Sequence, residues 1–354
     1  MSKGRDSVID SFRGVAVLLV TSFHIFLWSS SSGQPFFNDW DFYGPFGNGW
    51  VGVGIFFVIS GYCMGISTKN TFSQHISIGN YSIYFLKRFL RISLPYYVSI
   101  VFWFFLINFF GVAIKPTGPV DVITHLLFVH NMNERTMFSI SGVYWSLAVE
   151  MQFYVVLPVL VVLFKSIKMK TLLLITSLTI TVVVNVCSDD RVLTWSLIPY
   201  LYLFVLGWVL QGLSLGRIPI NIVIACRNLL FFVFVFSLFY KGEGFNNNIK
   251  IYETWVSTAS AVLMWLCINT HNRESSDRER WLAPLSFVGR CSFSIYLYNY
   301  IFWIVPRNDA SITLAIATFL FVIMFGVAMF YFVEKPSERI RMDLFKRFKQ
   351  QPVT

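Results

Sequence analysis

Residues 8–28 read VIDSFRGVAVLLVTSFHIFLW, an apolar run long enough to cross a bilayer that still carries Asp10, Arg13 and His24. An ionisable side chain at mid-bilayer costs about 2.5–3.5 kcal/mol on insertion scales, so such residues turn towards a bundle interior or a water-filled cavity. Arg13 and His24 are eleven residues apart. At 1.5 Å per residue that is about 16 Å along a helix and close to three turns, so both project from nearly one face. One helix then presents a fixed cation near one membrane surface and a titratable imidazole deep towards the other. The plainer reading of the same residues is an arginine snorkelling to lipid headgroups and a histidine satisfied inside the bundle.

Nine further apolar runs follow, near 49–67, 89–112, 143–164, 171–187, 194–214, 218–240, 251–270, 286–305 and 310–333. With 56% hydrophobic and 13% charged residues, the expected fold is an all-α polytopic membrane protein of about ten transmembrane helices. No secretory signal peptide is expected, because the first run is too long and lacks a small-residue cleavage site. The net charge of +10 is unevenly shared. Lys115, Arg135, Arg191, Lys241, Lys250 and Arg307 fall in loops on one side. Arg13, Arg227 and Arg290 fall within spans, and the remaining Lys and Arg gather on the side of the N-terminus. The positive-inside rule then orients the chain N-in and C-in. The basic excess meets anionic lipid, and nucleic acid is not needed to explain it. A single membrane domain over residues 1–340 is expected, with a short basic cytoplasmic tail over 341–354. Cys63, Cys187, Cys226, Cys267 and Cys291 show no metal-site or disulfide spacing and read as small hydrophobes.

Several stretches carry chemistry. The first outer loop, residues 29–48, mixes small polar residues with Trp40, Phe42 and Tyr43, which suits a membrane interface or a carbohydrate. Gly61 and Gly65 form a GxxxG spacing that admits a close helix neighbour. Lys87, Arg88 and Arg91 stand at the cytoplasmic end of the third span, before Pro95, which is expected to kink or reset the helix. Arg88 and Arg91 share a helical face, an arrangement suited to phosphate or to simple anchoring. His125 and His130, on an expected interfacial helix over 120–131, are spaced poorly for a metal. Glu150 lies in an apolar run about two turns below the outer surface and needs a partner there, for which His24 is the candidate. Trp145 and Ser146 fall at the rim of the same expected cavity. Arg227 and Glu253 are isolated polar residues with no assigned role. A polar lead-in over 285–300 includes Tyr296 and Asn299.

The order of these stretches resembles the membrane-bound acyltransferase-3 family. The resemblance rests on Arg13 with ten residues to His24, FFVISGY (56–62), KRFLRISLP (87–95), LLFVHN (126–131), YWSLAVEMQFY (144–154), GRCSFSIYLYN (289–299) and VEKP (333–336). One departure shows: Asn299 stands where the family often has His.

The resemblance implies transfer of an acyl group, usually acetyl from acetyl-coenzyme A in the cytoplasm, to a hydroxyl of an extracytoplasmic or lipid-linked glycan. Such acceptors include O-antigen of lipopolysaccharide, capsule and peptidoglycan at a bacterial inner membrane. On this reading Arg13, Arg88 and Arg91 receive the donor's phosphates. His24 acts as general base or as an acyl-accepting nucleophile, with Glu150 orienting it. Tyr62, Trp145, Ser146 and Asn299 line the substrate cavity, and no metal is required. The alternative is a secondary transporter or flippase for an anionic solute, although the inverted repeat common in transporters is missing.

Overall fold

The computed structural model describes residues 7–30, 46–71, 78–216, 218–240, 247–271, 279–305 and 312–350. Most of the first outer loop (residues 29–48) and of the charged loop at 271–280 lies outside these residues. The regular elements among the described residues are all helical. They are α1 (Ser7–Ser30), α2 (Gly52–Thr71), α3 (Ile78–Phe110), α4 (Pro119–Leu126), α5 (Trp145–Leu163) and α6 (Ile167–Cys187). Then follow α7 (Arg191–Thr194), α8 (Leu201–Gly212), α9 (Ile220–Ser237) and α10 (Asn247–His271). The chain continues with α11 (Glu279–Arg290), α12 (Ser292–Leu297), α13 (Ile312–Met329) and α14 (Lys335–Gln350).

Nine helical stretches among the described residues are long and apolar enough to cross a membrane. The chain is an all-α polytopic membrane protein. Its outer helices are apolar all round, as a lipid-facing surface requires: Leu229, Phe232 and Phe236 of α9 and Phe105 and Phe109 of α3 are exposed. α3 runs through Pro95 without ending, so the expected reset there does not occur.

The run at 286–305, expected as one span, is broken. α11 stops at Arg290, Cys291 turns, α12 lasts six residues, and a 3-10 stretch covers Asn299–Ile304. A carboxylate from elsewhere caps the second half. Glu334 accepts the Ser294 N–H at 3.2 Å and the Ser294 hydroxyl at 2.6 Å, satisfying donors at a helix start buried in the bundle. Irregular backbone survives at membrane depth where protein groups satisfy it in this way. Glu334 itself closes a π-helical stretch, Phe330–Glu334, that joins α13 to α14.

Glycine sets the tightest helix pairs. A Cβ on Gly61 would run into the Phe204 carbonyl of α8, and one on Gly207 of α8 would meet the Val58 carbonyl of α2. The close neighbour expected from the GxxxG spacing is therefore α8. In the same way Gly289 lies on the Asp10 carbonyl, which brings α11 onto α1.

Between α3 and α5 the chain forms a cap of α4 and a 3-10 turn, His130–Met132. Within it His125 and His130 are fully buried and stack face to face, 3.8 Å apart and 7° from parallel. Parallel rings aim their lone pairs in parallel, so the two cannot share one ion. His125 Nδ1 hydrogen-bonds the Asp121 backbone carbonyl at 2.8 Å. Burial pushes His125 down to about 4, and burial with the neighbouring His125 ring holds His130 well below the ordinary imidazole range.

Candidate active site

Two cavities open at opposite ends of α1, each with one of its two signal residues. The first, of about 550 Å³, is lined by Arg13 of α1, by Arg88 and Arg91 of α3, and by Arg290 and Lys335. We call it the basic cavity. Arg13 lies 3.6 Å from Asp10, one turn earlier on α1. Arg88 donates to Ser67 Oγ at 2.7 Å. Arg91 is exposed and makes no hydrogen bond or ion pair among the described residues. The acidic side chains on this wall have partners of their own: Glu334 on Ser294, Glu338 on Arg341 at 2.5 Å, and Glu150 on the hydroxyls of Ser60 and Tyr154. Several guanidinium groups converging on one cavity make a receptor for phosphate.

The second cavity, of about 720 Å³, holds His24, Trp50, Trp145, Trp195, Tyr200 and Tyr300 on its wall. We call it the aromatic cavity. His24 is half-buried, its ring 4.9 Å from that of Tyr300, and its Nδ1 is buried without a hydrogen-bond partner among the described residues. Asn299 lies alongside it. The Asn299 amide donates to Thr21 Oγ1 at 2.7 Å, tying the 3-10 stretch to α1 beneath the imidazole. Trp145 packs edge-on against Trp195 at 4.5 Å and beside Tyr200 at 5.3 Å. Flat aromatic faces of this kind take the apolar face of a sugar ring as readily as a lipid chain.

His24 and Glu150, read from the sequence as partners, line different cavities, and no hydrogen bond or ion pair joins them among the described residues. Trp145 and Ser146 diverge in the same way: the tryptophan faces the aromatic cavity and the serine the basic one. Successive helix residues point about 100° apart, so neighbours in sequence reach different walls. Tyr62 and Asn299 stand on neither wall. Arg227 joins α9 to α10 through Thr270 Oγ1 at 3.2 Å.

Nine charged residues on these walls carry no role in the sequence reading: Arg290, Glu334, Lys335 and Glu338 in the basic cavity, and Lys115, Asp189, Arg191, Lys250 and Glu253 in the aromatic one. Arg290 and Lys335 in the basic cavity lie inside two of the quoted motif stretches, which was their signal. In the aromatic cavity Glu253 is buried, and Lys115 donates to the Phe138 carbonyl at 3.1 Å, its ammonium pushed down by burial. A lone carboxylate in an apolar span marks Glu253 in the sequence. No group of three or more His, Cys, Asp or Glu able to hold a metal occurs among the described residues.

The bundle thus places a cationic cavity towards one end of α1 and an imidazole-bearing cavity towards the other. The chain belongs to the acyltransferase-3 family, whose acyltransferase domain matches residues 6–333. It is 22% identical over 321 residues to YrhL of Bacillus subtilis, provisionally named a peptidoglycan O-acetyltransferase, covering 82% of this chain and 48% of that protein. It is 28% identical over 167 residues to the peptidoglycan O-acetyltransferase OatA of Listeria monocytogenes, covering 44% of this chain and 24% of that protein. The chain thus spans about half the length of the first relative and a quarter of the second. No solved structure matches it.

Proposed function

We propose that this chain transfers an acyl group, most simply acetyl, from cytoplasmic acyl-coenzyme A to a hydroxyl of a glycan on the far side of a bacterial inner membrane. The observation that carries this is the division of one α1 face between two cavities, guanidinium groups at one end and an imidazole at the other. The donor's phosphates bind Arg13, Arg88 and Arg91, with Arg290 and Lys335 beside them. Its extended arm follows α1 and brings the thioester to His24. The acceptor sugar stacks on Trp145, Trp195 and Tyr200.

His24 removes the proton from the acceptor hydroxyl as its oxygen attacks the thioester carbonyl. The new C–O bond forms, the C–S bond breaks, and the leaving thiolate takes up the proton from the imidazolium. Ester and free coenzyme thiol leave, and His24 is neutral again. Glu150, among the arginines, balances their charge when the donor is away. The relatives named for peptidoglycan support a glycan acceptor and leave its identity open.

Mass spectrometry of surface glycans tests this, comparing cells that express the parent with cells that express His24→Ala at matched membrane levels. The expected result is a mass increment of one acyl group with the parent that the variant lacks. General-base catalysis contributes about 10²–10⁴-fold, so the variant falls below detection. Identical glycans from both, in hosts making each candidate acceptor, argue against transfer and for transport of an anionic solute.

A further inference from the structure

The two cavities are separate in this structure, yet the reading above sends a thioester from one into the other. They share two lining residues, Val53 and Tyr296. Val53 is a short, stiff side chain. Tyr296 is a plug with a latch. Its hydroxyl donates to the Val143 carbonyl at 2.9 Å and pairs with the Ser146 hydroxyl at 2.6 Å, both at the start of α5. Its ring meets Phe56 of α2 edge-on at 5.9 Å. The plug thus spans from α12 to α5 across the line between the cavities.

The backbone that carries Tyr296 is clamped. Ser294 is held by Glu334, and the Leu297 carbonyl accepts from Trp103 Nε1 at 3.1 Å. Gly326 of α13 lies so close to Ile295 that even a methyl group would collide with it. What can move is therefore the Tyr296 side chain, and its rotation breaks two hydrogen bonds while leaving every helix in place.

We infer that Tyr296 gates the passage between the basic and aromatic cavities, closing it at rest and swinging aside to admit the donor's acyl-bearing arm. This rests on the acyl-transfer reading. A passage held open would join the water on two faces of the membrane and expose the thioester to hydrolysis, and a ring latched by its hydroxyl prevents both. Tyr296 acts here as a positioning residue: it controls where the thioester can go and takes no part in bond making.

The test uses the full chain in proteoliposomes, as parent, Tyr296→Phe and Tyr296→Gly. Coenzyme A itself is titrated as the probe of the basic cavity. Collapse of an imposed pH gradient and acceptor-independent release of thiol from acetyl-coenzyme A are followed beside it. Coenzyme A affinity is expected to stay at the parental value in both variants. Tyr296→Gly vesicles lose the gradient many-fold faster than the parent. Tyr296→Phe keeps the plug without its latch, so its vesicles hold the gradient but release thiol roughly tenfold faster. Tyr296→Gly vesicles as tight as the parent overturn the gate. If the glycine variant loses coenzyme A binding, Tyr296→Phe decides, and parental thiol release there overturns it. A parent that binds coenzyme A yet never releases thiol, even with acceptor-bearing membranes, sinks the transfer reading instead.

Discussion

Glu253 and the stacked histidines show how differently a buried polar side chain can be employed. Glu253 shares the aromatic wall with Lys250, whose charge acts on it, and makes no hydrogen bond to protein among the described residues, so its carboxyl group is available to the hydroxyls or amide of a bound sugar. An intramolecular hydrogen bond contributes about 0.5–1.5 kcal/mol net, so Glu253→Ala is expected to raise the acceptor KM several-fold. The KM for acyl-coenzyme A should stay put, and steady-state kinetics with each substrate varied in turn checks both. A matched rise in the two would place Glu253 in the scaffold. His125 and His130 face each other and line neither the basic nor the aromatic cavity, and their effect is on stability. His125 is pushed down to about 4 in the folded chain, against about 6.5 unfolded, so the unfolded state binds the extra proton. Stability is then full above about pH 6.5 and falls as the pH drops towards 4, with roughly 2 kcal/mol lost from His125 alone by pH 5. Thermal unfolding in detergent at pH 7 and pH 5 measures this. His125→Gln, which cannot titrate, should reduce the difference while His130 keeps the rest; a parental pH slope in that variant would remove His125 as a source.

At the scale of elements, regular helices were legible and interruptions were not. The eleven-residue spacing of Arg13 and His24 places both on one face because α1 is unbroken, and periodicity holds along any such helix. The break after Arg290 could not be read in the same way. Glu334, which caps the helix after the break, lies 40 residues along the chain from Ser294, and a cap supplied by another element leaves no periodic trace. The pairing of His24 with Glu150 failed to emerge for a related reason: sequence fixes a residue's depth in the membrane, while the neighbours of α5 decide which cavity its faces meet. The glycine contacts sit between these cases, since the GxxxG spacing announces a close neighbour without saying which. That neighbour, α8, gives a prediction. Gly61→Val drives a side chain into the Phe204 carbonyl of an already packed helix pair, an overpacking that costs about 1–3 kcal/mol or more. A lower unfolding temperature and a poorer monodisperse yield are expected. Gly212→Ala, whose Cβ meets Ile167 Cδ1 at an ordinary 3.6 Å, serves as the tolerated control. Equal stability of the two variants would show that α2 and α8 separate more easily than their geometry implies.

At the scale of the whole molecule, the two cavities lie towards opposite ends of α1, and the charge pattern is the basis of the N-in, C-in orientation proposed for them. The basic cavity is walled by the N-terminal part of α1 and the start of α14, the ends at which Lys and Arg gather. Lys87 near the start of α3 lies 5.6 Å from the Phe345 ring, so α14 packs across that same basic end. Basic residues are retained on the cytoplasmic side, which is also where acyl-coenzyme A is made available to a membrane enzyme. The prediction is therefore one of sidedness. In inverted vesicles, whose cytoplasmic face is outward, added acetyl-coenzyme A should be consumed and its thiol released, while sealed right-side-out vesicles leave it untouched until detergent opens them. Arg91→Ala should weaken donor binding in the inverted vesicles, because its guanidinium lines the basic cavity and makes no direct hydrogen bond or ion pair to protein among the described residues. Consumption from the other face alone would reverse the proposed N-in, C-in orientation and, with it, the assignment of donor and acceptor to the two cavities.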